Sequence, residues 1–367
     1  MKTAAVLFLT LFLSFGAAAF QNEFYTLTEY MVKYPEQAWR ADAFNDIVEG
    51  EAKPLAHMNP KPIRIAAVYP GNIASDFWHR SLNATEQRLR ELNVNYTLYK
   101  YYSSSTGDVR LQVAQLAEVR DKGVDFLLTA ADGKQVRNAI GRLLTENKIN
   151  IIIQNRTAPL KEWSDTPPLL YAGFDLMEGS RMIADKVAEL FTDGADYGIL
   201  HCDTGEIDYQ RIKGLTDRLN YYGGFRNRVE YYTGYDSEKA YAATADMLAK
   251  HPEIEYIFAC STDIAIGAAA ALKASGASDR VCLSGWGGSS AELELMKKGS
   301  LDFTVVRLSD DSGVAAAEAI KMVLEGRRSE VPHVFAGGLR IMSADDSAES
   351  IDRLKKRIFR YSGVHEQ

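Results

Sequence analysis

The sequence predicts an α/β protein with two lobes, each built on a doubly wound parallel sheet, joined by several crossings of the chain. Apolar β-branched runs alternate with helical patterns along most of the chain, which is typical of a parallel sheet with helices on both faces. This alternation begins again after residue 174. The 367 residues are too many for one ordinary domain and suit two.

A preface of residues 20–60 precedes the first clear strand. Residues 29–43 have a helical pattern that Pro35 interrupts, and two prolines, Pro60 and Pro62, mark the entry to the strand. In the first half, the predicted strands are 63–69, 95–102, 124–128, 149–154 and 169–173, and the predicted helices are 76–92, 108–122 and 134–147.

The second half continues the same alternation without a visible sequence repeat. Its predicted strands are 197–202, 229–232, 256–260, 281–284, 303–306 and 334–341, and its predicted helices are 178–192, 209–221, 237–250, 263–274, 291–298, 312–325 and 350–361. We predict an N-terminal lobe of residues 61–174 plus 309–335 and a C-terminal lobe of residues 175–308 plus 336–367. Chain crossings near residues 174, 309 and 336 would form a hinge over a cleft.

The N-terminus has the parts of a secretory signal peptide. Lys2 supplies positive charge, residues 4–15 form an apolar core that is too short to span a bilayer, and residues 17–19 are small alanines. We therefore predict a signal peptide over residues 1–19 and an exported mature chain that starts at Phe20. No later run reaches about 18 uninterrupted apolar residues, the length that a membrane helix needs.

The overall charge and the cysteines narrow the classes of function. A net charge of −7 and a pI near 5.5 argue against a nucleic-acid-binding protein, which would favour a basic patch. The three cysteines, Cys202, Cys260 and Cys282, each fall in a predicted strand, and their spacing matches no metal motif. We interpret them as small buried strand residues with free thiols.

The βαβ unit at residues 282–311 is the clearest candidate for a ligand site. Trp286 and Arg307 lie at the carboxyl ends of its two strands, where ligands bind in open α/β sheets. Trp286 offers an aromatic face and Arg307 a fixed cation with five donors. Alternatively, Trp286 packs a loop and Arg307 pairs with Asp310 or Asp311.

Seven further polar or aromatic residues fall at other predicted strand ends or helix starts: Ser75, Trp78, Asn155, Arg211, Ser261, Thr262 and Asp263. The nine residues together supply aromatic faces for a ring, amide and carboxylate groups for hydroxyls, and guanidinium groups for negative charge, and they predict a site for a small polar ligand. Ser261 or Thr262 also fits the N-cap of the following helix, with Asp263 complementing its dipole. Ser289 and Glu292 have the spacing of a capping box.

Motifs for catalysis are missing from the sequence. It contains no HExxH, GxSxG, Walker A or GxGxxG pattern. The six histidines are scattered, and none pairs with another at helical spacing. His201 adjoins Cys202, but neighbours on one strand point to opposite faces, which prevents direct pairing. We therefore predict that the protein is not an enzyme and binds no metal.

Several short stretches resemble a known family. They are YPG and SDFW in residues 69–78, IIQN at 152–155, YAGFD and EGSR in 171–181, ACSTD at 259–263, GWGG and SAEL in 285–293, and KKRIFRYS at 355–362. Together they resemble periplasmic binding proteins of the ribose/galactose type and, within that family, the autoinducer-2 receptors. The resemblance covers nearly the whole mature chain.

The resemblance implies the type I fold of periplasmic binding proteins, a periplasmic location and binding without catalysis. It implies ligand contacts by Ser75, Trp78, Asn155, Arg211, Thr262, Trp286 and Arg307. In the autoinducer-2 receptors two arginines embrace the negative borate of a furanosyl borate diester, which gives Arg211 and Arg307 a shared role. Boron would enter as part of the ligand, with no separate cofactor. The implied partner is a membrane sensor histidine kinase that receives the signal of occupancy.

One residue departs from the receptor pattern. Where the family has a glutamine two residues before Ser75, this chain has Ile73. Either one buried hydrogen bond to the ligand is missing, at a net loss of about 1 kcal/mol, or the ligand is a different one. The main alternative is a sugar-binding protein that serves a transporter or chemoreceptor. Paired arginines argue against a neutral sugar, because two cations that face no anion are costly to bury.

Overall fold

The computed structural model describes residues 23–71, 74–103 and 108–363, which form two α/β lobes, each built on a six-stranded sheet. The predicted signal peptide and Ile73 lie outside the described residues. None of the helices within the described ranges is both long enough and apolar enough to cross a membrane.

The strands, in chain order, are β1 (Ile63–Tyr69), β2 (Tyr96–Tyr102), β3 (Phe126–Thr129), β4 (Asn150–Gln154), β5 (Leu170–Gly173), β6 (Asp196–His201), β7 (Arg226–Tyr232), β8 (Tyr256–Ala259), β9 (Cys282–Gly287), β10 (Phe303–Arg307), β11 (Val334–Ala336) and β12 (Leu339–Ser343). The helices are α1 (Leu27–Lys33), α2 (Pro35–Glu49), α3 (Phe77–Glu91), α4 (Val109–Lys122), α5 (Lys134–Glu146), α6 (Leu176–Leu190), α7 (Glu206–Tyr222), α8 (Ser237–Lys250), α9 (Thr262–Ser275), α10 (Ser290–Lys297), α11 (Ser309–Leu324) and α12 (Ala348–Ile358).

The two sheets have the same doubly wound order, which confirms the predicted fold class. The N-terminal sheet runs β11-β5-β4-β3-β1-β2, and the C-terminal sheet runs β12-β10-β9-β8-β6-β7. All pairings are parallel except that between β10 and β12, which is antiparallel. The central strands are buried along most of their length, because helices cover both faces of each sheet.

Three short segments connect the lobes. They lie between β5 and α6, between β10 and α11, and between β11 and β12. They are bound side by side, since Gly337 N–H donates to the Gly173 carbonyl at 2.7 Å and Leu308 N–H donates to the Gly338 carbonyl at 2.9 Å. A side chain at Gly337 would lie 2.6 Å from the Phe174 ring, so this crossing requires glycine. The predicted single run at 334–341 is therefore wrong, and Gly337 and Gly338 divide it between the two sheets.

The preface and the C-terminal helix both pack on helices of the N-terminal lobe. The helical pattern is interrupted at Pro35, as predicted: α1 ends at Lys33, and Pro35 occupies the first position of α2, where its missing N–H is not needed. Arg357, in α12, makes two 2.8 Å hydrogen bonds to Asp311 in α11. The exact lobe boundaries stay a prediction, although these contacts favour counting α12 with the N-terminal lobe rather than with residues 336–367 as predicted.

Candidate functional site

All nine residues predicted for the ligand site line one cavity between the lobes. The cavity encloses about 80 Å³. The residues that line it are Ser75, Trp78, Asn155, Arg211, Ser261, Thr262, Asp263, Trp286 and Arg307, together with Pro70, Phe77, Asp132, Ile207 and Tyr235. Their role in binding stays a prediction, but the parallel sheets do bring these strand ends to one place.

The wall from the N-terminal lobe is aromatic and carries one amide. Trp78 stacks on Tyr69 with 4.9 Å between ring centroids. Asn155 has a left-handed backbone with φ of 60°, a conformation that asparagine tolerates better than most residues. Its side-chain oxygen accepts a 3.0 Å hydrogen bond from Arg307, which belongs to the other lobe. This bond crosses the cleft and fixes the amide at the cavity.

Trp286 is held in the opposite wall by a buried carboxylate. Its indole N–H donates to Ser180 Oγ at 3.0 Å. The Glu292 carboxylate accepts hydrogen bonds from the backbone N–H groups of Trp286, at 3.2 Å, and Gly288, at 2.7 Å. Burial raises the pKa of Glu292, although the hydrogen bond from the Gly288 N–H acts in the opposite direction. Glu292 therefore fixes the glycine-rich loop from within.

The capping box predicted at Ser289 is only half present. Ser289 Oγ accepts from the Glu292 N–H at 3.3 Å, as an N-cap should. The Glu292 side chain turns instead to the loop and to the hydroxyls of Thr304, at 2.8 Å, and Thr262, at 3.2 Å. Gly288 has φ of 65° and lies so close to Val306 that any side chain would collide with it. Close packing against Val306 therefore explains the last glycine of the GWGG stretch.

Two arginines share the ring of Trp286. The Cζ atom of Arg211 lies 3.8 Å from the ring centroid, and that of Arg307 lies 5.8 Å away. Arg211 donates to the Cys260 carbonyl at 2.6 Å, and Arg307 donates to Asn155, so their partners are neutral. Over the residues that the structure describes, neither arginine forms an ion pair with a carboxylate. The predicted alternative for Arg307, pairing with an aspartate of α11, is therefore wrong.

The positive charges of Arg211 and Arg307 repel each other within the cavity. Burial and the neighbouring Arg211 lower the pKa of Arg307 to about 9. Burial also lowers the pKa of Arg211. An anion placed between the two guanidinium groups would relieve both effects, because opposite charge within a few ångströms favours the charged form.

Three buried polar atoms at the cavity have no hydrogen-bond partner among the described residues. They are Ser75 Oγ, Ser261 Oγ and Arg211 Nε. Ser261 occupies the N-cap position of α9, but its side chain makes no capping bond, so the capping alternative does not account for it. Buried polar groups are usually satisfied, and unsatisfied ones that converge on a cavity are suited to a polar ligand.

Asp132 and Asp263 add carboxylates to the rim. Burial raises the pKa of both. Asp263 accepts a 3.0 Å hydrogen bond from the backbone N–H of Ala74, another contact across the cleft. The sequence analysis did not predict Asp132 or Tyr235 as site residues. They follow β3 and β7, so the expectation that ligands bind at the carboxyl ends of strands could have identified them. Phe77 and Pro70 are apolar and gave no such signal.

The structure corrects the interpretation of two cysteines. Cys202 and Cys260 form a disulfide with 5.5 Å between Cα atoms, and they follow the adjacent parallel strands β6 and β8. The prediction of free thiols is wrong for this pair, because the sheet brings two distant positions together. Cys202, Cys260 and Asp208 have potential ligand atoms within 4.8 Å of one another, but bonded sulfurs are not thiolate ligands. We therefore assign no metal to this group.

A family model described as the periplasmic binding protein domain matches residues 65–328. The chain belongs to the periplasmic binding protein family. The D-ribose/D-allose-binding protein of Pseudomonas aeruginosa is 23% identical over 273 residues, which are 74% of this chain and 85% of that protein. The ribose import binding protein of Escherichia coli is 25% identical over 232 residues, 60% of this chain and 73% of that protein.

Solved structures share the fold of this binding protein. A glucose-galactose binding protein from Geobacillus stearothermophilus, 18% identical, matches with a TM-score of 0.70 over 78% of this chain and 99% of that chain. An ABC transporter solute binding protein from Actinobacillus succinogenes with bound D-allose, 21% identical, matches with a TM-score of 0.68 over 78% and 98%. Both similarities confirm the two-lobed type I fold. The relatives are binding proteins and not enzymes, which agrees with the prediction for this one.

Replacing Trp286 tests whether its ring contacts the ligand of the binding protein. We expect Trp286→Ala to weaken ligand binding by about 1–3 kcal/mol, the usual loss for a buried aromatic contact. Ligand should also change the tryptophan fluorescence of the wild type more than that of the variant, in which Trp78 still lines the cavity. The control is Trp39→Ala, since Trp39 is 60% exposed on α2, away from the cavity. A folded Trp286 variant with unchanged affinity would show that this side chain packs the loop and does not bind the ligand.

We expect His201 to make the unfolding free energy of the binding protein depend on pH. Its ring nitrogens contact two carboxylates, Asp208 at 2.7 Å and Glu230 at 3.1 Å. Burial alone would lower the pKa of His201, but these hydrogen bonds raise it from 6.5 to about 9. Because the folded-state pKa is the higher one, the stabilisation is complete below pH 6.5 and is lost as pH rises towards 9.

The expected loss over that interval is on the order of 3 kcal/mol of unfolding free energy. Urea unfolding at a series of pH values would measure it, and His201→Gln should remove the slope. The exposed His57 offers the control, since His57→Gln should leave the slope unchanged. Equal slopes in wild type and His201→Gln would show that His201 is not the group responsible.

Proposed function

We propose that this periplasmic binding protein holds one small, sugar-like molecule with a negatively charged group, and that this molecule is autoinducer-2 as its furanosyl borate diester. The observation that carries the proposal is the arginine pair. Arg211 and Arg307 are each about 5% exposed, lie 3.8 and 5.8 Å from the centroid of one tryptophan ring, and donate hydrogen bonds only to neutral groups within the described ranges.

The charge argument separates this ligand from a neutral sugar. Two buried cations that form no ion pair are unfavourable, and burial and Arg211 lower the pKa of Arg307 more than the carboxylates of Glu292 and Asp76 raise it. A borate between the two guanidinium groups would accept charge-assisted hydrogen bonds from both. The furanosyl ring would lie against Trp286, and its hydroxyls would reach Ser75 and Ser261, whose oxygens have no partner among the described residues.

The proposal extends to the partner and the location. The motifs quoted above resemble the receptor LuxP over nearly the whole mature chain, which supports relay of occupancy to a membrane sensor histidine kinase like LuxQ. The N-terminal pattern supports a signal peptide over residues 1–19 and release into the periplasm. Ile73 stands where those receptors carry a glutamine, so the ligand would be held with one hydrogen bond fewer.

A second candidate is a sugar-binding protein of an ABC transporter or chemoreceptor. The names of the relatives favour it, because they specify ribose, allose, glucose and galactose. The carboxylates of Asp132 and Asp263 at the rim also suit the hydroxyls of a neutral sugar. In that case, the two guanidinium groups would bind sugar oxygens, and carboxylates that form no ion pair with them, such as Glu292, would offset part of their charge.

The two candidates differ in what the purified protein carries. Protein prepared without denaturation would be heated to release its ligand, and the supernatant analysed by mass spectrometry and by elemental analysis for boron. The proposal predicts boron in about equal amount to the protein and a five-carbon product. A neutral pentose or hexose without boron would contradict autoinducer-2 and establish the second candidate.

Closure of the cleft is expected for either ligand. Beyond the bonds of Asn155 and Asp263 described above, Ser290 in α10 donates to Asp76 at 2.7 Å and accepts from Arg80 at 2.8 Å across the cleft. We expect the unliganded protein to populate an open form and the filled protein this closed one. Small-angle scattering should show a smaller radius of gyration with ligand. Identical profiles at saturating ligand would contradict hinge closure.

A further inference from the structure

The Cys202–Cys260 disulfide lies directly behind the ligand-binding face of the C-terminal lobe. Cys260 is followed by Ser261 and Thr262, which line the cavity. Both cysteines are fully buried. The disulfide joins the ends of the adjacent strands β6 and β8, and Arg211, which lines the cavity, donates to the carbonyl of Cys260 at the end of β8. The bond is therefore placed to control where this arginine lies.

Arg211 depends on this pair for its position. Its 2.6 Å hydrogen bond goes to the carbonyl of Cys260, and the same nitrogen lies 3.9 Å from Cys202 Sγ. Its Nε has no partner among the described residues. The Cζ atom of Arg211 also lies 3.8 Å from the centroid of the Trp286 ring, and its hydrogen bonds among the described residues go to the two half-cystines.

Asp208 fixes the other side of the pair. One carboxylate oxygen accepts the Cys202 N–H at 2.7 Å and lies 3.4 Å from Cys260 Sγ, and the other contacts His201 at 2.7 Å. If the disulfide were reduced, each sulfur would carry a proton, and the Cys260 thiol could donate to this carboxylate. The unbonded sulfurs would also have to move apart to van der Waals contact. The Cys260 carbonyl, and with it Arg211, would then shift.

We propose that the Cys202–Cys260 disulfide is a positioning element for Arg211 and that ligand affinity depends on the oxidation state of this pair. The reductant would be a dithiol: its two thiols become one disulfide while Cys202 and Cys260 become two thiols, so electrons and protons balance. Because the bond is buried in the closed form, bound ligand should also slow its reduction. The inference rests on the proposed function in one respect, that Arg211 contacts the ligand.

The first test needs no ligand. In the Cys202→Ser, Cys260→Ser double variant, Arg211 should leave the Trp286 ring, which changes the tryptophan fluorescence of the unliganded protein. In an Arg211→Met background the same pair of substitutions should change it little. The control is Cys282→Ser, since Cys282 lies outside the disulfide at the start of β9. An equal change in both backgrounds would overturn the proposal, because the effect would not pass through Arg211.

The second test measures affinity with the autoinducer-2 precursor and boric acid. Loss of the disulfide should weaken binding roughly 10- to 100-fold when Arg211 is present, about the value of one hydrogen bond to a charged group, and under about 2-fold in Arg211→Met. Equal losses in both backgrounds would indicate a merely structural disulfide and overturn the proposal. If this probe does not bind the wild type, the proposed function fails, while the fluorescence test still decides the positioning role.

Both tests require folded protein. Far-ultraviolet circular dichroism would establish this for each variant. If the double variant does not fold, the wild type and Cys282→Ser would be treated with dithiothreitol under native conditions instead. Fluorescence and affinity should then change together with the appearance of two thiols. Full reduction without either change would overturn the proposal.

Discussion

Lysine in place of Arg211 or Arg307 is expected to weaken ligand binding by about 2–5 kcal/mol in each case. Both guanidinium groups are buried near the ring of Trp286, and neither forms an ion pair with a carboxylate in the described part of the chain. An anion shared by the two would be left underpaired when either is replaced. Lysine offers a point charge and cannot reproduce the planar fork of arginine, so the charge alone should not restore affinity.

The two substitutions should be less than additive, because both arginines act on one group. A complete cycle of wild type, two single variants and the double variant, titrated by calorimetry, would measure the coupling. Arg218→Lys is a matched control, since Arg218 is on the same helix as Arg211 but pairs with Asp185 on the surface. If the single variants bind as tightly as the wild type, the arginines do not contribute to ligand binding.

Breaking the buried ion pair between Arg88 and Glu318 is expected to lower the unfolding free energy by about 3–5 kcal/mol. Arg88, in α3, is 0% exposed and lies 2.6 Å from Glu318 in α11. It also donates to the carbonyls of Ile47, at 3.2 Å, and Gly50, at 3.1 Å, and so joins the preface to the N-terminal lobe. Arg88→Met would leave a buried carboxylate without its cation.

Urea unfolding would measure this loss, and the Arg88→Met, Glu318→Leu double variant should recover part of it, because no buried charge then remains unpaired. The control is Lys213→Met, which breaks an exposed pair with Asp217 on α7 and should cost less than about 1 kcal/mol. If Arg88→Met is no less stable than this control, the buried pair does not hold the preface and the lobe together.

The alternation of strands and helices could be predicted because it depends on local pattern. Doubly wound sheets then place all strand ends at one edge, which is why nine residues scattered from Ser75 to Arg307 converge on one cavity. The division of 334–341 between two sheets could not be predicted, since it depends on the close approach of Gly337 to Phe174. The pattern of β-branched residues does not record which sheet a residue joins.

Contacts between distant positions account for the other differences. The disulfide depends on β6 and β8 being neighbours, although 58 residues separate the two cysteines. Glu292 has the spacing of a capping box, but its carboxylate accepts hydrogen bonds from the buried N–H groups of Trp286 and Gly288 instead. Asp132 and Tyr235 also follow the carboxyl ends of strands, and the reasoning that identified the nine predicted residues could have identified them too.

The most direct test of an anionic, borate-containing ligand is a pair of calorimetric titrations of the wild-type protein with the autoinducer-2 precursor. One is made in buffer stripped of boron and the other after boric acid is returned. We expect weak binding in the first and tight binding in the second, because the borate diester would supply a negative charge to Arg211 and Arg307, which form no ion pair among the described residues. Equal affinity in the two buffers would contradict the borate ligand and direct attention to Ile73 and a different, neutral sugar.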